Sequence, residues 1–310
     1  MRILVPSDGS EHSEHVIRHA IQFARHLDNP EVRVLYVIDT TELEEFGRVD
    51  AIVPEREGYS SSLFDPGRIK KLLNRKAEAT PTYIKREIEA TPQIVGATKV
   101  EFSIRVGEPS EEILRESESY NADLIIMGSL RLGGRLALGS TADRVIRGAR
   151  IPVMVIGPRS EFCDIRKILV PVDRSDSSRA AVRLAAYFAK RLDVSLRLLH
   201  VVNEPAIRYF SSLSGLGDDE KKKLISEYVS AAEEYLKKLS SMDELKDVRV
   251  ETMVATGDPT KEILREVQEG GCQMVVMGTR GKGHLGRFLI GSVTGGVISQ
   301  ANRPVVVVKG

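Results

Sequence analysis

Apolar and polar positions along the second half of this chain fall into two alternating rhythms. Lys167–Pro171 is a short apolar run, which reads as a strand. Asp176–Leu192 follows with Ala181, Leu184, Ala185, Phe188 and Leu192 at helical spacing. Residues 195–202 read as a buried strand. Residues 218–241 read as a long amphipathic helix opening on Asp218, Asp219 and Glu220, acids suited to the positive end of its dipole. A strand over 248–255 precedes a helix over Pro259–Glu269, with Pro259 at a favoured first position. Residues 273–278 form a continuous apolar strand. A glycine-rich loop, a helix over 291–301 and a last strand Val305–Val308 complete the pattern. Strands that are apolar throughout and alternate with helices predict an α/β fold, with a parallel sheet covered on both faces. Ligands in such sheets bind beyond the carboxyl ends of strands, where strand order reverses. The loops after the first and fourth strands are therefore the expected site.

The first half repeats the second. Gly107-Glu108-Pro109 recurs as Gly257-Asp258-Pro259, and Glu112-Ile113-Leu114-Arg115-Glu116 recurs unchanged as Glu262-Ile263-Leu264-Arg265-Glu266. Ile125-Ile126-Met127-Gly128 matches Val275-Val276-Met277-Gly278, and Ile3–Asp8 matches Ile168–Asp173. Gly139-Ser140 and Pro152-Val153 match Gly291-Ser292 and Pro304-Val305. The order is kept throughout, so the chain is a duplication of a whole domain, not a solenoid of short repeats. The expected domains are 1–159 and 164–310, joined near Pro158-Arg159-Ser160-Glu161. Extra length in the first copy falls at about 40–67, where Gly47, Pro54, Gly58 and Pro66-Gly67 read as an irregular insertion. Each copy ends in a short apolar strand, an edge that would aggregate if left bare.

Composition narrows the class. The 310 residues are 42% hydrophobic and 29% charged, as in a globular protein of about two domains. No apolar run reaches the length of a membrane span, and the start MRILVPSDGS lacks a signal-peptide core. A cytoplasmic protein is expected. The net charge of +1 gives no general attraction to nucleic acid or an anionic membrane. Cys163 and Cys272 imply no disulfide framework and no nucleophile motif.

Candidate chemistry concentrates after the fourth strand of the second copy. Gly278, Gly281, Gly283, Gly286 and Gly291 let backbone amides approach an anion closely. Gly291-Ser292 opens a helix, whose free amides and dipole favour phosphate. Ser292 and Thr294 carry hydroxyls, and Arg280, Lys282, His284 and Arg287 make the loop basic. A Walker A loop fails because His284 stands where lysine is needed. Gly281-x-Gly283-x-x-Gly286 fits the dinucleotide fingerprint, but it lies in the last βα unit with no acid about 20 residues on. The pattern Gly278-x2-Gly281-x9-Gly291-Ser292 is complete. Asp173, at the end of the first strand, could bond an adenine nitrogen or ribose hydroxyl; its alternative is a cap for the helix 176–192.

That glycine pattern resembles the ATP-binding signature of the universal stress protein family. Leu199-His200-Val201, the Gly-Asp-Pro helix start and the closing Arg303-Pro304-Val305 extend the resemblance over nearly the whole chain, twice. It implies two tandem five-stranded parallel-sheet α/β domains of the Rossmann-like, adenine nucleotide alpha hydrolase-like kind, packed as a pseudo-dimer through their last strands. It further implies ATP with Mg2+. Pro171, Val172 and Asp173 would hold the adenine and ribose side, and Val201 the adenine edge. Met277 and Gly278 would flank the ribose, and Gly281, Gly291, Ser292, Val293 and Thr294 would take the phosphates. The first copy keeps Asp8, Val37, Gly128, Gly139 and Ser140. Arg131 replaces its second motif glycine, and the loop from Gly128 to Gly139 is two residues shorter. One ATP per chain, in the second copy, is the expectation.

His12, His15, His19 and His26 mark one stripe of the first helix, beside Val16, Ala20, Phe23 and Leu27. Spacings of three and four suit either a metal pair or a solvated flank, and the flank is the expectation, with no metal site. Lys221-Lys222-Lys223 reads as an exposed helix start. No residues form a catalytic triad or a paired-carboxylate site. The reading is a nucleotide-responsive regulatory protein with an unidentified protein partner. At most it hydrolyses ATP slowly. A partner-binding protein using AMP or another adenine nucleotide, a slow nucleotide hydrolase, and further homodimerisation stay open.

Overall fold

The computed structural model describes residues 1–39, 98–129, 138–158, 160, 164–279 and 290–310. The expected insertion at 40–67, Arg131, Cys163 and the loop holding Gly281 lie outside the described residues. The chain divides into two compact units, Met1–Met127 and Gly128–Gly310.

In the first unit β1 (Arg2–Ser7), β2 (Glu31–Asp39), β3 (Lys99–Gly107) and β4 (Leu124–Gly128) pair in parallel, in the order β3-β2-β1-β4. Helix α1 (Glu11–Ala24) follows β1, and α2 (Pro109–Ser119) links β3 to β4. Val16, Ile17, Ala20, Ile21 and Ala24 are buried, one helical stripe against a sheet whose Ile3, Leu4, Val5, Leu124 and Ile125 are inaccessible to water.

The second unit begins with α3 (Ser140–Gly148) and β5 (Val153–Ile156). It continues through β6 (Lys167–Pro171), α4 (Asp176–Leu192), β7 (Ser195–Asn203), α5 (Glu204–Leu213) and α6 (Asp218–Ser240). It closes with β8 (Val250–Gly257), α7 (Pro259–Glu269), β9 (Met274–Gly278), α8 (Ser292–Gln300) and β10 (Val305–Val308). The strand order is β5-β10-β9-β6-β7-β8. All pairs are parallel except β5 with β10, where Val305 faces Val155 and Val307 faces Val153. The two apolar closing strands thus cover each other, as their exposed edges required. The fifth strand of the first repeat therefore belongs to the second compact unit.

The chain begins its second repeat at β6, adds β7 and β8 on one side, then crosses to β9 and β10 on the other. Strand order reverses between β6 and β9. Bounds agree with the sequence pattern at β6, α4, α7 and β10. Strand β8 starts two residues later than its apolar pattern suggests, after Asp247 turns the chain with φ of 67°. Helix α5 was not expected. Asn203 caps it by accepting the Ala206 amide at 3.1 Å and Pro205 occupies its first turn, but its only buried residue is Ser211. Tyr209, Phe210 and Leu213 are exposed, so no apolar stripe announced it. Among the described residues no helix is long and apolar enough to cross a membrane.

The repeated Gly-acid-Pro motifs have one physical cause. Gly107 and Gly257 leave β3 and β8 with φ of 156° and 152°, and a Cβ on either would lie 2.9 Å from the side chain of Glu112 or Glu262 respectively. Glu108 then accepts the Glu111 amide at 2.8 Å and Asp258 the Lys261 amide at 3.0 Å, each capping a helix that starts with proline.

The repeated Glu116 and Glu266 anchor those helices to the sheet. Glu116 is buried and accepts Arg33 at 3.1 Å and Arg105 at 2.6 Å; Glu266, also buried, pairs with Arg197. Arg33 and Arg197 also reach Glu101 and Glu251 on the neighbouring strand. Burial alone would push the Glu116 carboxyl up, but bonds from Arg105 and Arg33 outweigh it and hold it below its ordinary 4.5. A lowered folded-state value adds stability above the ordinary value, and that stability is lost as pH falls through the folded one. Glu116→Gln is expected to cost about 2 kcal/mol at pH 7, less than a fully buried pair because the arginines are half-exposed. Denaturant midpoints of wild type and variant, compared from pH 7 down to 3, should converge at the acid end.

On α1 the histidine stripe differs from the expected solvated flank. His19 is buried at 5% exposure, and its Nε2 lies 3.0 Å from that of His15. His12 stacks on His15 and His26 bonds the Gln22 carbonyl at 3.0 Å.

Candidate functional site

Strand β6 ends at Pro171, and the chain turns through Val172, Asp173 and Arg174 into α4. Val172 is buried, its amide still bonded to the Leu199 carbonyl on β7 at 2.8 Å. The Val172 carbonyl is met by His200 Nδ1 at 2.7 Å, a bond that requires the proton on Nδ1. Arg174 takes a left-handed φ of 69°. Asp173 is not the cap of α4. Ser175 is, accepting the Ser178 amide at 3.1 Å. Asp173 sits one step back, its Oδ1 accepting the Ser175 hydroxyl at 2.5 Å and amide at 3.1 Å. This fixes the carboxylate at the mouth of the sheet.

The first repeat builds the same turn. Asp8 accepts the Ser10 hydroxyl at 2.6 Å and amide at 3.0 Å, and Ser10 caps α1. Burial pushes the Asp8 carboxyl up, but the Ser10 bonds prevail and hold it below the usual range.

On the far side of the reversal point β9 ends in Met277-Gly278. A Cβ on Gly278 would lie 2.5 Å from Ser177 Oγ and 2.8 Å from the Ser177 carbonyl carbon. Only glycine lets the end of β9 pass this close to the first turn of α4. Gly291 then opens α8 with extended backbone and no side-chain cap, and the first helical bond runs from the Gly295 amide to the Gly291 carbonyl. The amides of Ser292, Val293 and Thr294 precede that bond, as helix-starting donors do. Ser292 is exposed. Thr294 is buried and donates its hydroxyl to the Gly278 carbonyl at 2.9 Å, tying the helix start to the strand end.

These segments enclose a cleft of about 430 Å³ within the second unit. Pro171, Val172, Asp173, Val201, Met277, Gly278, Gly291, Ser292, Val293 and Thr294 all line it. Gly281 lies outside the described residues. Ser178, Leu199, Asn203, Pro259 and Ile263 complete the wall and were not anticipated. Ile263 and Leu199 are core side chains whose apolar periodicity gives no sign that one edge faces a ligand. Ser178 reads from sequence as an ordinary helix-start serine. The volume is that of a small-molecule site, apolar on its walls with few polar groups. One end offers a carboxylate and the other the N-terminus of a helix without a side-chain cap, an arrangement that can grip a ligand having a hydrogen-bonding head and an anionic tail.

Cys272 is buried, and burial pushes its thiol up to about 11, so it is no nucleophile at neutral pH. Among the described residues no three His, Cys, Asp or Glu side chains gather as a metal cluster.

The universal stress protein family matches residues 1–157 and again residues 164–309. The chain belongs to the universal stress protein family. It does so as a tandem member carrying two copies of the domain. A universal stress protein of Methanocaldococcus jannaschii is 37% identical over 145 residues, which cover 46% of this chain and 82% of that protein. One from Mycolicibacterium smegmatis is 34% identical over 215 residues, covering 68% of this chain and 69% of that protein. The crystal structure of a universal stress protein from Archaeoglobus fulgidus shares the fold with a TM-score of 0.62 at 22% identity, over 99% of this chain and 96% of that one. In this universal stress protein, Gly278, Gly291 and Ser292 of the glycine pattern that carried the resemblance border the cleft in the second unit.

Proposed function

We propose that the second repeat binds ATP, with Mg2+, in the cleft between β6 and β9, and that the protein is a nucleotide-responsive regulator and not a dedicated enzyme. The observation that carries this reading is the pairing of Asp173 with the uncapped start of α8 across one cleft. Asp173 and the backbone around Val172 and Val201 suit the adenosine end. Met277 and Gly278 lie between. The amides of Ser292, Val293 and Thr294, with the Ser292 hydroxyl, suit the phosphates. Gly281 belongs to the same phosphate loop by its place in the sequence pattern. The metal would sit on the phosphates and offset their charge.

The domains 1–159 and 164–310 act unequally in this reading. The second carries the nucleotide; the first, with Arg131 in place of a motif glycine, serves as its structural partner. The bound state is read by another protein. Native mass spectrometry of the freshly purified chain tests the assignment: one retained adenine nucleotide of ATP mass is expected, and AMP alone would favour the rival, a partner-binding protein that uses AMP.

A further inference from the structure

We propose that His15 and His19 of α1 form a two-imidazole site for a late first-row divalent cation of Ni(II) or Cu(II) type. The residues are one helical turn apart, so their side chains share a face. Their Nε2 atoms are 3.0 Å apart, and the ring centres 4.4 Å apart at an interplanar angle of 75°. Two nitrogens about 2.05 Å from a shared ion, at the separation found, subtend about 94° at it. That is a cis angle of a square or octahedral shell, the geometry these cations prefer.

The ring centres lie closer together than a collinear hydrogen bond between the two nitrogens would place them. Each centre lies about 1.15 Å behind its nitrogen, so a collinear N–H···N bond at this separation places the centres about 5.3 Å apart. Rings turned towards a common ion place them about 4.7 Å apart. The distance of 4.4 Å lies on the chelating side. The surroundings limit ring motion. His19 is buried, and His12 stacks on His15 with centres 6.3 Å apart. His15 is half-buried, which leaves an edge open for water to complete the shell. Glu11 and Glu14, in the first turn of α1, precede His15 and add negative charge at this end of the helix.

Calorimetric titration of the untagged full chain with Ni(II), without nucleotide, tests the site. Wild type and His26→Ala are expected to bind one Ni(II) alike. His15→Ala and His19→Ala should each weaken binding by about tenfold or more. Ni(II) should also raise the melting temperature of wild type but not of His15→Ala. His19 is buried and its variant can lose fold; His15→Ala, with circular dichroism to show the fold intact, keeps the test decisive. No Ni(II) binding by wild type, or unchanged binding by a folded His15→Ala, would overturn the proposal.

Discussion

Gly278→Val is expected to cost about 3 kcal/mol of stability and to weaken nucleotide binding with it. The position has no room for a side chain: the first added carbon would meet Ser177 at 2.5–2.8 Å, including its backbone. Backbone contacts of that kind are not relieved by rotating a side chain. The end of β9 and the start of α4 must separate, and both line or support the cleft. Denaturant titration reads the stability loss, and calorimetry with ATP reads the binding loss. Gly278→Ala should show a smaller version of both. A valine variant of wild-type stability would mean that the close approach of β9 to α4 is not as described.

Asp173→Ala is expected to reduce ATP affinity about tenfold or more, the usual loss when a charged hydrogen-bond partner is removed. Stability should fall much less, because Ser175 keeps its own bond to the Ser178 amide. Asp8→Ala makes the equivalent change in the first repeat, where the same Asp–Ser turn precedes α1. It should leave ATP affinity unchanged. The pair of variants separates a ligand-binding role for Asp173 from a shared role in building the turn. Equal effects of the two on stability and none on ATP would assign the carboxylates to the turn alone.

Much of this was legible in the sequence, for identifiable reasons. Apolar runs such as Val305–Val308 are buried on both faces, so their pattern and their bounds coincide. Pro259 and Asp258 mark a helix start chemically, and α7 begins there. The glycines of the fourth loop pointed to the reversal point of the sheet because their spacing repeats a known pattern. Other features rest on contacts between distant residues, which no local pattern records. Glu116 and Glu266 stood out only as repeated letters. Their reason, a buried bond to strand arginines, lies 83 residues away for Arg33 and 69 for Arg197. Helix α5 was missed because it buries almost nothing, so the usual apolar stripe is absent. Ser175 and Ser178 were passed over because serines at a helix start are ordinary; Ser178 lines the cleft, and Ser175 holds the Asp173 carboxylate. The compact units and the sequence repeats are different divisions of the chain. The repeats divide near residue 160, but β5 is packed with β10, so the compact units divide at residue 127.

The most direct test of the central claim is the stoichiometry of MgATP binding to the full chain, measured by calorimetry on wild type, Gly281→Val, Asp173→Ala and Asp8→Ala. On the proposed assignment a branched side chain at Gly281 is expected to weaken phosphate binding, and the first repeat, with Arg131 in place of the second motif glycine and two residues fewer between Gly128 and Gly139, is expected not to bind ATP. One site per chain is predicted, strongly weakened in Gly281→Val and Asp173→Ala and intact in Asp8→Ala. Two equivalent sites, no ATP binding, or binding lost only in Asp8→Ala would contradict the assignment of the nucleotide to the second repeat.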